Sequence, residues 1–347
     1  MSRPAADGSV LIAAAQGGDH DAYGRLVAPH QAALHALCYR MLGSAADADD
    51  ALQEALLRAW RGLRRFEGRS SLRTWLYMIA TNSCLKMLSR HDKRFLPVDY
   101  GPSVGPEGSP GQAVEGSLWV EPHLGLGAEP LDARPSPEAR YDERESVELA
   151  FIAALQHLPA RQRAALVLHD VLGFPGEEVA TMLGSTVASV YSALQRAHKA
   201  VDDRLSPPSQ QVVLREYGKD KLCRLAGAYV EAWERADVNA LVKLPTEDVV
   251  LSMPPLPGWY EGRENVAQFL RRSPFRAGGR WRLVETRANG QLAFANYLWD
   301  ASAGRFMPHS VDLLSLSGAG VKEITAFLLP ERFPGFGLAP QLEPAGP

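Results

Sequence analysis

The chain has 347 residues, of which 46% are hydrophobic and 22% charged, with a formal net charge of −3. These values are typical of a globular protein of two or three domains and exclude a collagenous, coiled-coil or wholly disordered chain. The sequence contains neither an apolar run of the roughly 18–20 residues that a bilayer-spanning helix needs nor a basic-then-apolar leader, so we expect a cytoplasmic protein. Its three cysteines are scattered, which predicts reduced thiols and neither a disulfide framework nor a zinc site.

Charge and composition divide the chain into blocks. The whole-chain charge of −3 argues against nucleic-acid binding, but residues 57–94 carry ten basic and two acidic residues, a local charge of +8. Residues 97–137 contain eight prolines, seven glycines, six acids and one base, which predicts an acidic linker that does not fold by itself. An apolar spot between Leu118 and Leu126 is the part of the linker that could form a contact. The predicted boundaries are a first domain at 9–95, the linker at 96–137, a second domain at 138–205 and a third domain at 215–333.

The first block has the apolar spacing of α-helices. One predicted helix contains Leu34, Leu37 and Met41 and stops at Gly43. Ser44 then caps a second helix that runs through Trp60, and its inner face is predicted to carry Leu52, Leu56, Ala59 and Leu63. An acidic cluster marks the start of this second helix and consists of Asp47, Asp49, Asp50 and Glu54.

A third helix, predicted from Leu72 to about Arg90, combines cations with an aromatic ring and an amide. Cations hold phosphates, whereas aromatic rings and amides stack on or hydrogen-bond to exposed bases, so such a face suits nucleic acid. A solvated basic face is the alternative that composition alone leaves open. Trp75 and Trp60 fall on apolar stripes, which favours core positions for both. The outward residues of this helix and its lead-in are predicted to be Arg69, Arg73, Tyr77, Asn82 and Lys86.

Residues 47–90, DADDALQEALLRAWRGLRRFEGRSSLRTWLYMIATNSCLKMLSR, resemble region 2 of the extracytoplasmic-function (ECF) sigma factors of bacterial RNA polymerase. In that family the DxxQE helix docks on a coiled coil of the polymerase β′ subunit, and the following segment melts and reads the minus-ten promoter element. The resemblance implies polymerase contacts at Asp50, Gln53, Glu54 and Arg58. It implies minus-ten DNA contacts at Arg69, Ser70, Ser71, Arg73, Trp75, Tyr77, Asn82 and Lys86.

The second block predicts a helix-turn-helix. Two helices are expected over residues 146–172, with a break at Leu158-Pro159, and FPGEEVATMLGSTVASVYSALQRAHKAV follows. Ala180, Gly184 and Val190 have the spacing of a small crossing residue, a turn glycine and an apolar plug. Such motifs bind DNA or other proteins. With LPARQRAALVLHDVLGF before it, the block resembles region 4 of the same sigma factors, which reads the minus-thirty-five element. The DNA-binding candidates are Thr186, Ser189, Ser192, Gln195, Arg196 and Lys199, with His198 beside the DNA backbone.

The third block predicts an α+β domain in which helices come first and an antiparallel sheet follows. The order of its elements, with MPPLPGWYEGRENV at 253–266, resembles the SnoaL-like branch of the NTF2-like superfamily. Those domains enclose an apolar pocket, and some are polyketide cyclases or isomerases. The pocket candidates are Asp248, Tyr260, His309 and Asp312, since proton abstraction needs a carboxylate or histidine with hydrogen-bond donors nearby. Catalysis, ligand sensing and a regulatory interaction surface all remain open for this domain.

The sequence thus predicts a multidomain protein with two all-α sigma domains and an α+β SnoaL-like (NTF2-like) domain. It is expected to be a nucleoid-associated sigma factor that binds the β′ and β subunits of core RNA polymerase and promoter DNA, without catalysis, cofactor or metal. Activity would be modulated by the third domain through a small ligand or an intramolecular contact. The alternatives are a cyclase- or isomerase-like enzyme, a ligand sensor fused to DNA-binding domains, and a stand-alone repressor.

Overall fold

The computed structural model describes residues 4–90, 93–105, 107–114, 116, 118–124, 147–205, 208–276 and 278–344. These residues form two compact units. The helical unit contains the described parts of 1–93 and 154–205, and the sheet unit contains those of 94–124, 147–153 and 208–344. None of the helices in the described ranges combines the length and the apolar character that crossing a membrane requires.

The first half of the helical unit is a bundle of five helices whose ends follow the predicted signals. The helices are α1 (Pro4–Gln16), α2 (His20–Val27), α3 (Gln31–Leu42), α4 (Ala45–Leu63) and α5 (Leu72–Leu88). Gly43 ends α3 with a φ of 69°, and the Ser44 hydroxyl caps α4 by accepting a hydrogen bond from the amide of Asp47 at 3.2 Å. Ser71 caps α5 in the same way through the amide of Thr74 at 3.0 Å.

The inner face of α4 differs in part from the predicted one. Ala59 and Leu63 are buried as predicted, but Leu52 and Leu56 are only half-buried. Small side chains shorten the distance at which helices can pack, so an alanine face lets α4 lie close to its neighbours α3 and α5. The acidic residues of α4 lie on the side opposite this alanine stripe. The stripe consists of Ala48, Ala51, Ala55 and Ala59, all at most 3% exposed.

The second half of the helical unit contains the predicted helix-turn-helix. Gly184 has a φ of 56° in the turn, Thr186 caps the second helix through the amide of Ser189, and Val190 is buried in the corner. The predicted helix up to Leu172 is instead split, because its last part, Val167–Val171, forms a π turn. The helices of this half are α8 (Ala160–Leu166), α9 (Gly176–Met182) and α10 (Val187–Asp202).

The sheet unit joins helices to one six-stranded sheet. Its strands are β1 (Pro245–Ser252), β2 (Trp259–Glu261), β3 (Trp281–Ala288), β4 (Gln291–Asp300), β5 (Arg305–Ser317) and β6 (Gly320–Phe327). Their order in the sheet is β2-β1-β6-β5-β4-β3; β1 and β6 run parallel, and the other neighbours are antiparallel. The helices of the unit are α6 (Pro97–Tyr100), the first residues of α7 (Leu149–Gln156), α11 (Gln210–Glu234), α12 (Val238–Leu241) and α13 (Arg263–Arg272).

The described part of the acidic linker is packed on the sheet unit, so the expectation that it stays unfolded is wrong for these residues. Trp119 and Val120 are buried, as the predicted apolar spot requires, and the amide of Val120 donates to the carbonyl of Phe95 at 3.0 Å. The amide of His123 donates to the Asn289 side chain at 3.0 Å. The linker is ordered because it adds backbone hydrogen bonds to apolar burial, which composition does not reveal. Leu126 lies outside the described residues.

Candidate functional sites

The exposed face of α4 is acidic. Asp50, Gln53 and Glu54 all lie on it, opposite the buried alanine stripe. The Arg58 side chain is half-buried, and its Nε donates to Oε1 of Glu54 at 2.7 Å. Leu57, which is 45% exposed, adds an apolar contact point beside these charges. An apolar residue flanked by acidic and amide groups is suited to a partner surface that carries basic side chains.

The basic face of α5 is divided between exposed and covered residues. Asn82 and Lys86 are exposed, as are Arg69, Ser70 and Ser71 in the lead-in to the helix. The guanidinium of Arg69 pairs with Glu67 at 2.6 Å. The C-terminal half of α5 and its lead-in therefore remain accessible.

The N-terminal half of α5 is partly covered by α9 and the loop before it, although Arg73 is exposed as predicted. Arg73 donates to the carbonyl of Leu172 at 3.2 Å, and its guanidinium carbon lies 4.1 Å from the centre of the Phe174 ring. The Thr74 hydroxyl donates to Oε2 of Glu178 at 2.8 Å. The two helices are thus joined by polar contacts and by stacking on an aromatic ring.

Tyr77 does not face outward, so that prediction is wrong. Its ring is 2% exposed and lies 5.2 Å from the ring of Phe174, centroid to centroid. The ring is buried by contact with the loop before α9, a segment far from α5 in sequence, which the periodicity of α5 alone cannot reveal. Trp75 packs as its apolar stripe predicts, 5.0 Å from the Phe66 ring.

The second helix of the helix-turn-helix, α10, presents one polar face. Its buried face contains Val190, Leu194, Ala197 and Val201. His198 is not available as predicted, because its Nε2 hydrogen-bonds to the buried carboxylate of Asp170, which also bonds His169 at 2.6 Å. The exposed residues include all six DNA-binding candidates, Thr186, Ser189, Ser192, Gln195, Arg196 and Lys199.

One exposed aromatic side chain on α10 was missed. Tyr191 is 53% exposed, and a Cβ at position 176 would lie 3.0 Å from its hydroxyl oxygen. The Pro175-Gly176 pair therefore leaves room for the Tyr191 ring, since any larger residue at position 176 would contact it. The glycine after Pro175 is the signal in the sequence that a large side chain lies close to that backbone.

The sheet unit encloses an apolar cavity of about 180 Å³ with a buried carboxyl group in its wall. Asp312 is 1% exposed, and it accepts hydrogen bonds from the hydroxyls of Tyr229 at 2.8 Å and Ser310 at 3.0 Å. Asn296 in turn donates to the Ser310 hydroxyl oxygen at 3.0 Å. Burial raises the pKa of Asp312 and lowers the pKa of His309, which also lines the cavity.

Two of the four pocket candidates line this cavity. Asp312 and His309 do, whereas Asp248 is exposed on β1, where a hydrogen bond from Thr246 lowers its pKa. Tyr260 is buried, but its hydroxyl donates to the carbonyl of Gly108 at 2.9 Å. Tyr229 was missed as a member of the site; the structure places it on the buried side of α11.

Comparisons with known proteins agree with the order of the three blocks. Residues 26–94 match the family model of Sigma-70 region 2, residues 148–201 match Sigma-70 region 4, and residues 226–322 match the SnoaL-like domain. The chain is 40% identical over 323 residues to the ECF RNA polymerase sigma factor SigG of Mycobacterium tuberculosis, covering 90% of this chain and 83% of the relative. The chain belongs to the ECF RNA polymerase sigma factors.

Other similar proteins support this sigma factor's modular organisation. The ECF RNA polymerase sigma-E factor of Escherichia coli is 31% identical over 198 residues, which is 57% of this chain and 94% of that protein. The crystal structure of the extracytoplasmic function sigma factor SigJ of M. tuberculosis shares the fold, with a TM-score of 0.53, 23% identity and coverage of 89% of this chain and 97% of that chain. The fold prediction of two all-α sigma domains and a SnoaL-like α+β domain is confirmed.

As an ECF sigma factor, the protein binds core RNA polymerase and promoter DNA and directs transcription initiation. The helical unit contains α3 to α5 of the region 2 match and α8 to α10 of the region 4 match. The SnoaL-like match falls within the sheet unit and includes Asp312 and His309. The protein therefore acts as a transcription factor.

Proposed function

We propose that the exposed face of α4 docks on core polymerase, that α5 and its lead-in bind the minus-ten element, and that α10 binds the minus-thirty-five element. The polymerase contacts would be Asp50, Gln53, Glu54 and Arg58. The minus-ten contacts would be Arg69, Ser70, Ser71, Arg73, Tyr77, Asn82 and Lys86, with Trp75 supporting the helix from the core. The minus-thirty-five contacts would be Thr186, Ser189, Ser192, Gln195, Arg196 and Lys199.

The covered half of α5 is the observation that carries this proposal. Thr74 is half-buried and Tyr77 is buried against the region around Phe174 and Glu178, so these two side chains are not open to DNA in this arrangement, whereas Arg73 stays exposed beside them. The polymerase-binding face of α4 is exposed in the same unit. The sigma factor therefore binds polymerase first, and its minus-ten surface becomes complete once region 4 has moved away from α5.

The C-terminal domain acts as a regulator and not as an enzyme in this proposal. The linker that joins regions 2 and 4 packs on the sheet unit through residues 95–124 wherever it is described, so the domain holds the tether between the two promoter readers. Functionally, we divide the chain at the predicted boundaries, 9–95, 96–137, 138–205 and 215–333. The protein works in the cytoplasm, at the nucleoid.

A cross-link between α5 and α9 tests this order of events. In a Cys223→Ser background, Thr74→Cys and Glu178→Cys are joined by a short bismaleimide, because Cys38 and Cys84 are buried while Cys223 is exposed. Transcription is measured with purified core polymerase on a promoter selected from genomic fragments by the wild-type holoenzyme. We expect the cross-linked protein to bind polymerase normally and to give no transcript.

The two single-cysteine variants, treated with the same reagent, control for modification of either position. Full transcription by the cross-linked protein would contradict the requirement for separation. Absence of any transcript from the untreated wild-type protein would contradict the assigned promoter function as a whole.

A further inference from the structure

The cavity of the sheet unit contains a buried carboxyl group that promoter recognition does not use. Asp312 lies in the cavity wall and accepts hydrogen bonds from Tyr229 and Ser310. The Asn296 side chain also bonds to this group, and because a carboxylate has about four acceptor positions, it keeps capacity for about one further donor. Because burying a carboxyl group costs stability, an apolar side chain would serve a purely structural core better.

A β-bulge brings His309 to the same cavity. Strand β5 pairs Ser310 with Asn296 and Pro308 with Tyr297, so His309 is the extra residue between two paired positions. His309 and Asp312 are three residues apart, so without this bulge their side chains would point to opposite faces of the sheet. Bulges that re-aim a side chain are typical of functional sites.

The imidazole of His309 has unused hydrogen-bonding capacity. Its buried Nδ1 has no hydrogen-bond partner among the described residues, and the ring packs edge-on against Trp281 with centroids 4.9 Å apart. Burial lowers the pKa of His309, so at neutral pH the ring is uncharged and offers one donor and one acceptor. A hydroxyl group matches the polar end of the cavity, because it donates to a carboxylate and can also pair with either form of an imidazole nitrogen.

The other residues of the cavity wall indicate the polarity, charge and size of the rest of the ligand. The wall is mainly apolar and includes Trp233, Leu251, Phe269 and Ile324, which favours an uncharged ring system. The volume of about 180 Å³ is slightly larger than the ~150 Å³ apolar cavity that accommodates benzene in a well-studied case. Arg263 also lines the cavity: one terminal nitrogen of its guanidinium donates to the carbonyl of Pro245 at 2.8 Å, and its buried Nε has no hydrogen-bond partner among the described residues. An anionic ligand would be opposed by Asp312.

The linker forms part of the same wall. Pro110 lines the cavity, and its carbonyl accepts a hydrogen bond from the amide of Gly258 at 2.8 Å. A Cβ at position 258 would lie 2.6 Å from the Cα of Pro110, so only glycine allows this approach. The amides of Val104 and Val114 attach the segment on either side, to the carbonyls of Trp259 at 2.8 Å and Pro255 at 3.0 Å. A molecule in the cavity would therefore contact the linker directly.

We propose that this cavity is a binding site for a small, uncharged, one- or two-ring molecule with a hydroxyl group, which Asp312 and His309 receive, and that its occupancy stabilises the docked linker. The coupling to the linker rests on the regulatory role proposed above, whereas the binding does not. Binding is measured without polymerase or DNA, so the two ideas can fail separately.

The test compares 2-naphthol with naphthalene and 2-naphthoate by equilibrium dialysis against the full-length protein. We expect 2-naphthol to bind at least tenfold more tightly than either of the others, a difference of about 1.4 kcal/mol. In Asp312→Asn, the preference for 2-naphthol over naphthalene should fall to about threefold or less, while naphthalene binds as before. Asp248→Asn, an exposed carboxylate of the same domain, is the matched control and should keep the full preference.

A second variant and a second measurement guard against a folding defect. His309→Phe keeps a ring against Trp281 and removes both nitrogens, and it should also weaken 2-naphthol binding more than naphthalene binding. In the wild-type protein, saturating 2-naphthol should slow hydrogen exchange at the Val104 and Val114 amides at least threefold. Equal binding of 2-naphthol and naphthalene, or tighter binding of 2-naphthoate, overturns the proposed site. Unchanged exchange in the 2-naphthol complex overturns the coupling to the linker.

Discussion

Helices α4 and α5 are neighbours in one bundle, yet one presents its functional face and the other partly hides it. The acidic face of α4 offers only Leu57 as an apolar contact, whereas α5 carries Tyr77, whose ring is buried against Phe174. Burial of an aromatic ring contributes several times more stabilising free energy than an exposed ion pair does. A segment that packs on the aromatic face of α5 is therefore stabilised more than one that packs on the acidic face of α4. Availability of a binding face therefore depends on its apolar content as much as on its charge.

The covering of α5 requires that region 4 stays packed against region 2. Substitution of Arg163 tests what holds the two regions together. It is 3% exposed and donates to the carbonyls of Met41 in α3, Gln156 and Leu158, and to the Gln156 side chain. Burial lowers its pKa to about 10, so it remains charged at neutral pH. We expect Arg163→Met to lower the free energy of unfolding of the helical unit by roughly 3 kcal/mol, measured by urea denaturation, because it leaves buried carbonyls unpaired.

Arg161 provides the control for this change. Its side chain donates to the Leu183 carbonyl at 3.1 Å and is not fully buried, so Arg161→Met should cost less than about 1 kcal/mol. An equal loss in both variants would mean that Arg163 has no special part in holding the two regions together.

The exposed acidic face of α4 is tested by removing two of its carboxylates. We expect Asp50→Ala combined with Glu54→Ala to weaken binding to purified core polymerase roughly 100-fold, because two charged contacts are lost from the interface. Surface plasmon resonance measures the affinity. Asp49→Ala is the control: this acid is also exposed on α4, but it pairs with His35 at 2.9 Å. A similar loss with Asp49→Ala would mean that overall charge, and not this face, determines the affinity.

Much of this arrangement follows from local sequence, because caps and strand periodicity are local. Gly43, Ser44 and Gly184 mark helix ends where the structure has them. Contacts between distant segments were not predictable in this way. The cover over Tyr77 and the docking of Pro110 beside Gly258 both join segments about 100 residues or more apart. The His309 bulge also breaks the two-residue period from which strand faces are inferred.

The covering of α5 by α9 is tested by weakening one hydrogen bond between the two helices. Glu178→Gln weakens the charge-assisted bond from the Thr74 hydroxyl, which is partly buried at 2.8 Å. We expect the isolated sigma factor to bind a single-stranded minus-ten oligonucleotide about fivefold more tightly, because uncovering α5 becomes easier by about 1 kcal/mol. Fluorescence anisotropy measures the affinity. Glu177→Gln removes an exposed charge from the same turn and controls for reduced repulsion of DNA, and an equal gain there would contradict the covering role.

The Arg58–Glu54 pair tests whether the charged face of α4 serves polymerase binding or the stability of the fold, and its expected effect is the smallest. The Arg58–Glu54 pair joins side chains that are 31% and 52% exposed, and pairs of this kind contribute little to folding. We therefore expect Arg58→Gln to change the free energy of unfolding by less than about 0.5 kcal/mol in urea denaturation. Polymerase affinity should nevertheless fall about threefold, since Glu54 loses the partner that orients its carboxylate at 2.7 Å. A stability loss as large as that of Arg163→Met would show instead that α4, like α5, uses its charged face to hold the bundle together.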